Sequence, residues 1–123
     1  MTKEKRALED AKKAQEQLNK ATEAAKKKYD DVTNSIKGYT DAAKKLDELT
    51  EGTKEWNEAL IESNKQVLDL VKKYPELEAF VSNKNGRLNI SELGLEQLDK
   101  KTQKDMLSAQ NAQIAGQQRV RQA

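Results

Sequence analysis

Tyr74-Pro75-Glu76-Leu77-Glu78-Ala79-Phe80-Val81-Ser82-Asn83-Lys84-Asn85-Gly86-Arg87-Leu88-Asn89-Ile90-Ser91-Glu92-Leu93-Gly94-Leu95 is where a repetitive, charged sequence changes character. It holds the single proline, the single phenylalanine and an Asn-Gly pair. The ring of Pro75 pushes Tyr74 out of helical geometry, so a preceding helix must stop there. Pro75 also suits the first position of a short helical turn through Phe80. Asn85-Gly86 favours a tight turn. Leu88 and Ile90 alternate with polar residues and predict a short strand, with Phe80-Val81 as its mate. Ser91 is a good helix cap, and Ile90 and Leu95 have the spacing of a hydrophobic staple. The spacing therefore predicts a β-like knuckle over 74–91. A pairing this narrow holds only if it packs on helices.

Before the knuckle, the most apolar stretch carries Trp56, Leu60, Ile61, Val67, Leu68, Leu70 and Val71 at helical spacing, predicting a helix over about 54–73. Gly52 can take the left-handed conformation that ends a helix, and Thr53 can cap the next one. A helix running unbroken through Gly52 is the alternative. Further back, Ala7, Ala11, Ala14, Leu18, Ala21, Ala25, Val32 and Ile36 fall close to a heptad seam. Its phase continues through Tyr39, Ala42, Leu46 and Leu49. Lys28 and Ser35 occupy two weak slots, with Tyr29 and Ile36 one residue over. This predicts a first helix over about 3–50, with Gly38 inside it. Alanine favours helix but buries little area, so this seam needs a partner helix that approaches closely.

After the knuckle, a third helix is expected over about 92–121. It begins with Leu93, Leu95 and Leu98 and becomes small and amide-rich around Ala109, Ala112 and Gly116. The first helix, at about 48 residues, would be ~72 Å long. The second and third match it if both run back along it, with Ala7, Ala11 and Ala14 facing Ala109 to Gly116. The expected fold is all-α: an elongated antiparallel helical hairpin or coiled coil with a small β-like knuckle. The alternative is a compact three-helix bundle. Residues 1–123 form one helical domain on this reading, or a piece of a longer protein, since the chain stops within helical pattern.

Composition narrows function. Of 123 residues, 35% are hydrophobic and 36% charged, and mean hydropathy is −1.02. That is too polar for a large round core. There is no cysteine or histidine, which removes thiolate chemistry, the commonest general base and the commonest metal ligand. Asp30-Asp31 and Asp47-Glu48 are adjacent on helices and point to different faces. No glycine-rich phosphate loop is present. The expectation is a non-enzymatic protein with no cofactor, no metal and no small-molecule substrate. Residues 83–92 resemble the back of an EF-hand loop, but Val81 stands where the first oxygen ligand belongs. No apolar run reaches the roughly 20 residues of a membrane span, and the N-terminus lacks a signal-peptide core. An intracellular or virion location is expected.

Charge is unevenly spread. Residues 1–28 carry nine Lys or Arg against five Asp or Glu, residues 100–123 five against one, and residues 41–62 three against seven. Opposite ends of this kind can favour end-to-end contact.

Leu46-Asp47-Glu48-Leu49-Thr50-Glu51-Gly52-Thr53-Lys54-Glu55-Trp56, with Tyr74-Pro75-Glu76-Leu77 and Gly86-Arg87-Leu88-Asn89-Ile90-Ser91, resembles coiled-coil segments of phage tail tape-measure proteins and related virion proteins. The resemblance covers about residues 40–98 and implies a structural protein that assembles through long helices. It transfers no functional residue. The expected function is a structural or assembly module that self-associates or joins a larger assembly. The second reading is an adaptor that docks a protein through the knuckle or the acidic 41–62 stretch. The third is weak, non-specific binding of nucleic acid by the basic ends. Trp56, Leu60, Tyr74, Pro75, Leu77, Phe80, Gly86, Leu88 and Ile90 are the expected structural and interface residues.

Overall fold

The computed structural model describes residues 2–122. Over these the protein is all-α with one small antiparallel sheet. In order, α1 spans Lys3–Asp47, α2 spans Lys54–Lys73, a 3-10 helix spans Pro75–Phe80, β1 spans Val81–Lys84, β2 spans Arg87–Ile90 and α3 spans Glu92–Gln122. The chain divides into two compact units, Met1–Asp30 with Lys101–Ala123, and Asp31–Lys100.

In the Asp31–Lys100 unit the local signals act as their chemistry requires. Gly52 has φ +88°, and the Thr53 hydroxyl accepts from Trp56 N–H as the α2 cap. Tyr74 leaves helical geometry (φ −130°, ψ 80°), and the 3-10 helix starts at Pro75. Asn85 and Gly86 both have positive φ, at 54° and 87°, as a two-residue hairpin turn needs. The register pairs Val81 with Ile90 and Asn83 with Leu88. Ser91 Oγ accepts from Gly94 N–H at 3.3 Å, capping α3.

The core of this unit contains Val32, Tyr39, Val67, Leu70, Tyr74, Leu77, Ile90, Leu95 and Leu98, with Ile36, Val71, Phe80 and Leu88 packed against it. Each fully buried aliphatic side chain stabilises the fold by about 1.5–3 kcal/mol. The sheet has only two strands, yet the helices satisfy the outer edge of β2. Asn64 of α2 accepts from Leu88 N–H and donates to Gly86 C=O, both at 2.9 Å. Tyr39 of α1 accepts from Ile90 N–H at 3.0 Å. This is how a four-residue hairpin persists: side chains from α1 and α2 fill the places of a third strand.

The Met1–Asp30/Lys101–Ala123 unit pairs the start of α1 with the end of α3, antiparallel. Thr22 bonds Ala109 C=O, and Gln15 bonds Gln113 C=O. The seam on α1 is Leu8, Ala11, Gln15, Leu18, Asn19, Thr22 and Ala25, whereas Ala7, Ala14 and Ala21 are exposed.

Two expectations are corrected. The heptad seam runs one residue later than expected in alternate slots. Tyr29 and Ile36, the neighbours of the two weak slots, belong to the true series, as do Gln15 and Thr22. Ala109 to Gly116 consequently face Gln15 to Thr22, about two turns from the expected Ala7–Ala14 register. The cause is that amides and a hydroxyl entered the seam by finding partners across it, which alanine cannot do. The first helix also stops at Asp47 instead of continuing to 50. Leu49 N–H reaches back three residues to Leu46 C=O, so the chain tightens before Gly52.

Candidate functional site

The expected site residues divide into two groups. Tyr74, Leu77 and Ile90 are buried in the core, with Phe80 and Leu88 against it. Pro75 is exposed at the start of the 3-10 helix, and Gly86 is exposed in the turn. These seven hold the knuckle together. Gly94 shows how tightly: a Cβ there would lie 2.5 Å from Phe80 Cγ, so the phenyl ring rests on the bare backbone of α3. The Asn83 Oδ1 that an EF-hand would use as a ligand accepts from Gly86 N–H at 2.9 Å instead. Among the described residues, no cluster of three or more Asp or Glu could hold a metal ion.

Trp56 and Leu60 lie outside that core and are half-buried. Trp56 lines a cleft of about 330 Å³ with Leu46, Leu49, Glu51, Asn85 and Arg87. Arg87 fixes one wall. Its Nη1 donates to Asp47 Oδ1 at 2.7 Å and its Nη2 to Ala43 C=O at 3.4 Å, which tethers β2 to the last turns of α1. A cation suits a helix C-terminus, but Asp47 is 65% exposed, so the pair is worth at most about 1 kcal/mol.

A second groove, of about 270 Å³, has Ala42, Leu49 and Ala59 as its apolar lining. Glu55, Glu58 and Glu62 edge it from α2, with Lys45 as the one cation. Three carboxylates at i, i+3 and i+7 form one stripe along two helical turns.

The amide seam of the other unit was not legible as a site. Gln15 Nε2 and Gln113 Nε2 both donate to Asn19 Oδ1, at 2.9 and 2.8 Å. Thr22 Oγ1 lies 2.9 Å from Leu18 C=O and 3.2 Å from Ala109 C=O. Gly116 is buried because a Cβ would run into Leu18 Cδ1 and the Gln15 amide. The signal available was the run of small and amide residues in α3, whose small residues the sequence places in a seam while giving its amides no role there.

On the outside of the helices sit aliphatic residues that no core claims. Ile61 and Leu68 on α2 are 69% and 61% exposed, and Leu107 and Ile114 on α3 are 55% and 54% exposed. Each pair is seven residues apart, hence on one helical face. Charge also divides. Thirteen Lys or Arg against seven Asp or Glu leave the Met1–Asp30/Lys101–Ala123 unit at +6. Ten against fourteen leave the Asp31–Lys100 unit at −4, and the two sum to the chain's +2. Among the described residues no helix is long and apolar enough to cross a membrane. No protein-family model, curated protein or solved structure matches the chain.

Proposed function

We propose that this is a non-enzymatic structural or assembly module that works by helix–helix association, with itself or within a larger assembly. The observation that carries the reading is the pair of outward aliphatic stripes, Ile61/Leu68 and Leu107/Ile114. A chain with so few apolar residues exposes five large ones, Leu93 and these four, and the four stand two by two at heptad spacing. Single exposed aliphatics need no explanation, but in-phase pairs are what a partner helix reads. The resemblance of residues 40–98 to phage tape-measure segments makes a virion or tail component the finer form of this proposal. Sedimentation equilibrium tests the general form. Mass should rise with concentration above the 13.9 kDa of one chain. A monomer at every concentration overturns self-association, and co-purification with phage particles would test the finer form.

A second reading has its own observation. The cleft beside Trp56, edged by Glu51 and Arg87, suits an adaptor that docks a protein there. Tryptophan fluorescence reports on that cleft directly, and an unchanged spectrum on partner addition would remove this reading.

A further inference from the structure

We propose that the carboxylate-edged groove of the Asp31–Lys100 unit receives the outer face of α3 from a second copy of this chain. The inference rests on the assembly reading above and names its contact: a heterologous, head-to-tail one, with different surfaces on the two copies.

Three observations converge on this pairing. The first is charge. The groove carries Glu55, Glu58 and Glu62 and one lysine, on a unit of net −4. The outer face of α3 runs Lys104, Leu107, Asn111, Ile114, Gln118 and Arg121, all exposed. Asp105, the sole carboxylate between 100 and 123, is two residues from Leu107 and so points to the opposite side of the helix. An acidic edge thus has a carboxylate-free, cationic counterpart within the same sequence, on a unit of net +6. The second is chemistry. The groove lining is small and aliphatic, and the α3 face offers two aliphatic side chains that its own unit leaves in water. The third is length. Glu55 to Glu62 spans seven residues, as does Leu107 to Ile114, so each contact surface is about 10.5 Å long on its helix.

The α2 stripe makes a useful contrast. Ile61 and Leu68 have Lys54, Lys65 and Lys72 on the same helical face, against Glu58 as its one carboxylate. Those lysines would repel a basic α3, so the acidic groove is the better recipient on this unit. A contact of this size, with exposed charges at its edges, is weak and salt-sensitive.

Two complementary variants test the contact. Leu107→Glu/Ile114→Glu spoils the α3 face and leaves the groove intact. Glu55→Lys/Glu58→Lys/Glu62→Lys spoils the groove and leaves α3 intact. All five positions are exposed, and circular dichroism verifies the helices. The experiment is sedimentation velocity at low salt on the full chain, each variant alone and their equimolar mixture. Wild type should associate. Each variant alone should associate roughly tenfold more weakly or worse, because like charges are brought together across the contact. The mixture should recover a one-to-one complex, since one good groove meets one good α3 face. If wild type associates but the mixture does no better than the variants alone, this contact is wrong and the assembly reading survives. If wild type stays monomeric throughout, this contact and self-association both fall.

Discussion

The Asp31–Lys100 unit closes on aliphatic and aromatic side chains, whereas the Met1–Asp30/Lys101–Ala123 unit closes mainly on amides, hydroxyls and small residues, with Leu8 and Leu18 among them. In the first, Val67, Leu70 and Leu77 are at most 2% exposed, and the hydrophobic term dominates. In the second, Asn19 gathers two amide donors and Thr22 reaches a backbone carbonyl across the interface. Such hydrogen bonds contribute only about 0.5–1.5 kcal/mol each, net of the water they replace. Their value is directional, since Gln15, Asn19 and Gln113 meet in one register only. The comparison teaches that one heptad phase can serve two purposes along a single helix. Where its slots are aliphatic it supplies stability, and where they are polar it supplies alignment.

Substitutions can break or sharpen this contrast. The largest effect is expected at Leu77, 1% exposed beneath the knuckle. Leu77→Ala should lower unfolding free energy by about 2–5 kcal/mol through lost burial and a residual cavity. Urea denaturation measures it, and a loss under ~1 kcal/mol would mean the knuckle is not integral to the core. Next comes Asn19→Ala in the amide seam. It strands the Gln113 donor and leaves the Gln15 amide only its bond to Gln113 C=O at a part-buried interface, at a cost of about 1–3 kcal/mol. Hydrogen exchange should place that loss within residues 8–25 and 102–120, with the Leu77 region unmoved.

Alkaline titration separates the units by another route. Burial, aided by the charges of Asp31 and Glu76, raises the Tyr74 hydroxyl above its ordinary 10.0. The folded state therefore favours neutral Tyr74. That contribution is complete below pH 10 and is lost as pH rises through the higher folded value. Stability of the Asp31–Lys100 unit should fall above pH 10, and Tyr74→Phe should flatten the fall. An identical pH profile in the variant would contradict the assignment. The smallest effect belongs to Asp47→Asn, which removes an exposed ion pair with Arg87 and should cost less than about 1 kcal/mol.

The boundaries of α2, the Thr53 and Ser91 caps, the Asn85-Gly86 turn and Val81 as part of the mate of the 88–90 strand were legible in the sequence, whereas Phe80 ends the 3-10 helix instead of joining the strand. Each depends on a local rule: proline geometry, a capping hydroxyl, or positive φ at glycine. The seam of α1 was half legible. Its period was correct, but alternate slots were assigned to alanine because hydrophobicity ranks alanine above glutamine and threonine. What decided the phase was partner geometry 87 to 98 residues away in sequence, which no local window contains. Asn64 and Tyr39 were invisible as supports of β2 for the same reason. Gly94 and Gly116 each make room for a side chain from another element; the small-residue run places Gly116 in a seam, whereas no local signal marks Gly94. The outward stripes were hidden in plain view, since Ile61 and Leu68 count towards an apolar helix whichever way they face.

Native-state hydrogen exchange under weakly denaturing conditions tests the central contrast most directly. If an aliphatic core holds one unit and a polar seam the other, amides in 8–25 and 105–118 should exchange through a partial opening of lower free energy. Amides around Val67, Leu70 and Ile90 should exchange only with global unfolding. Equal opening free energies in both regions, or greater protection in the amide seam, would contradict the account.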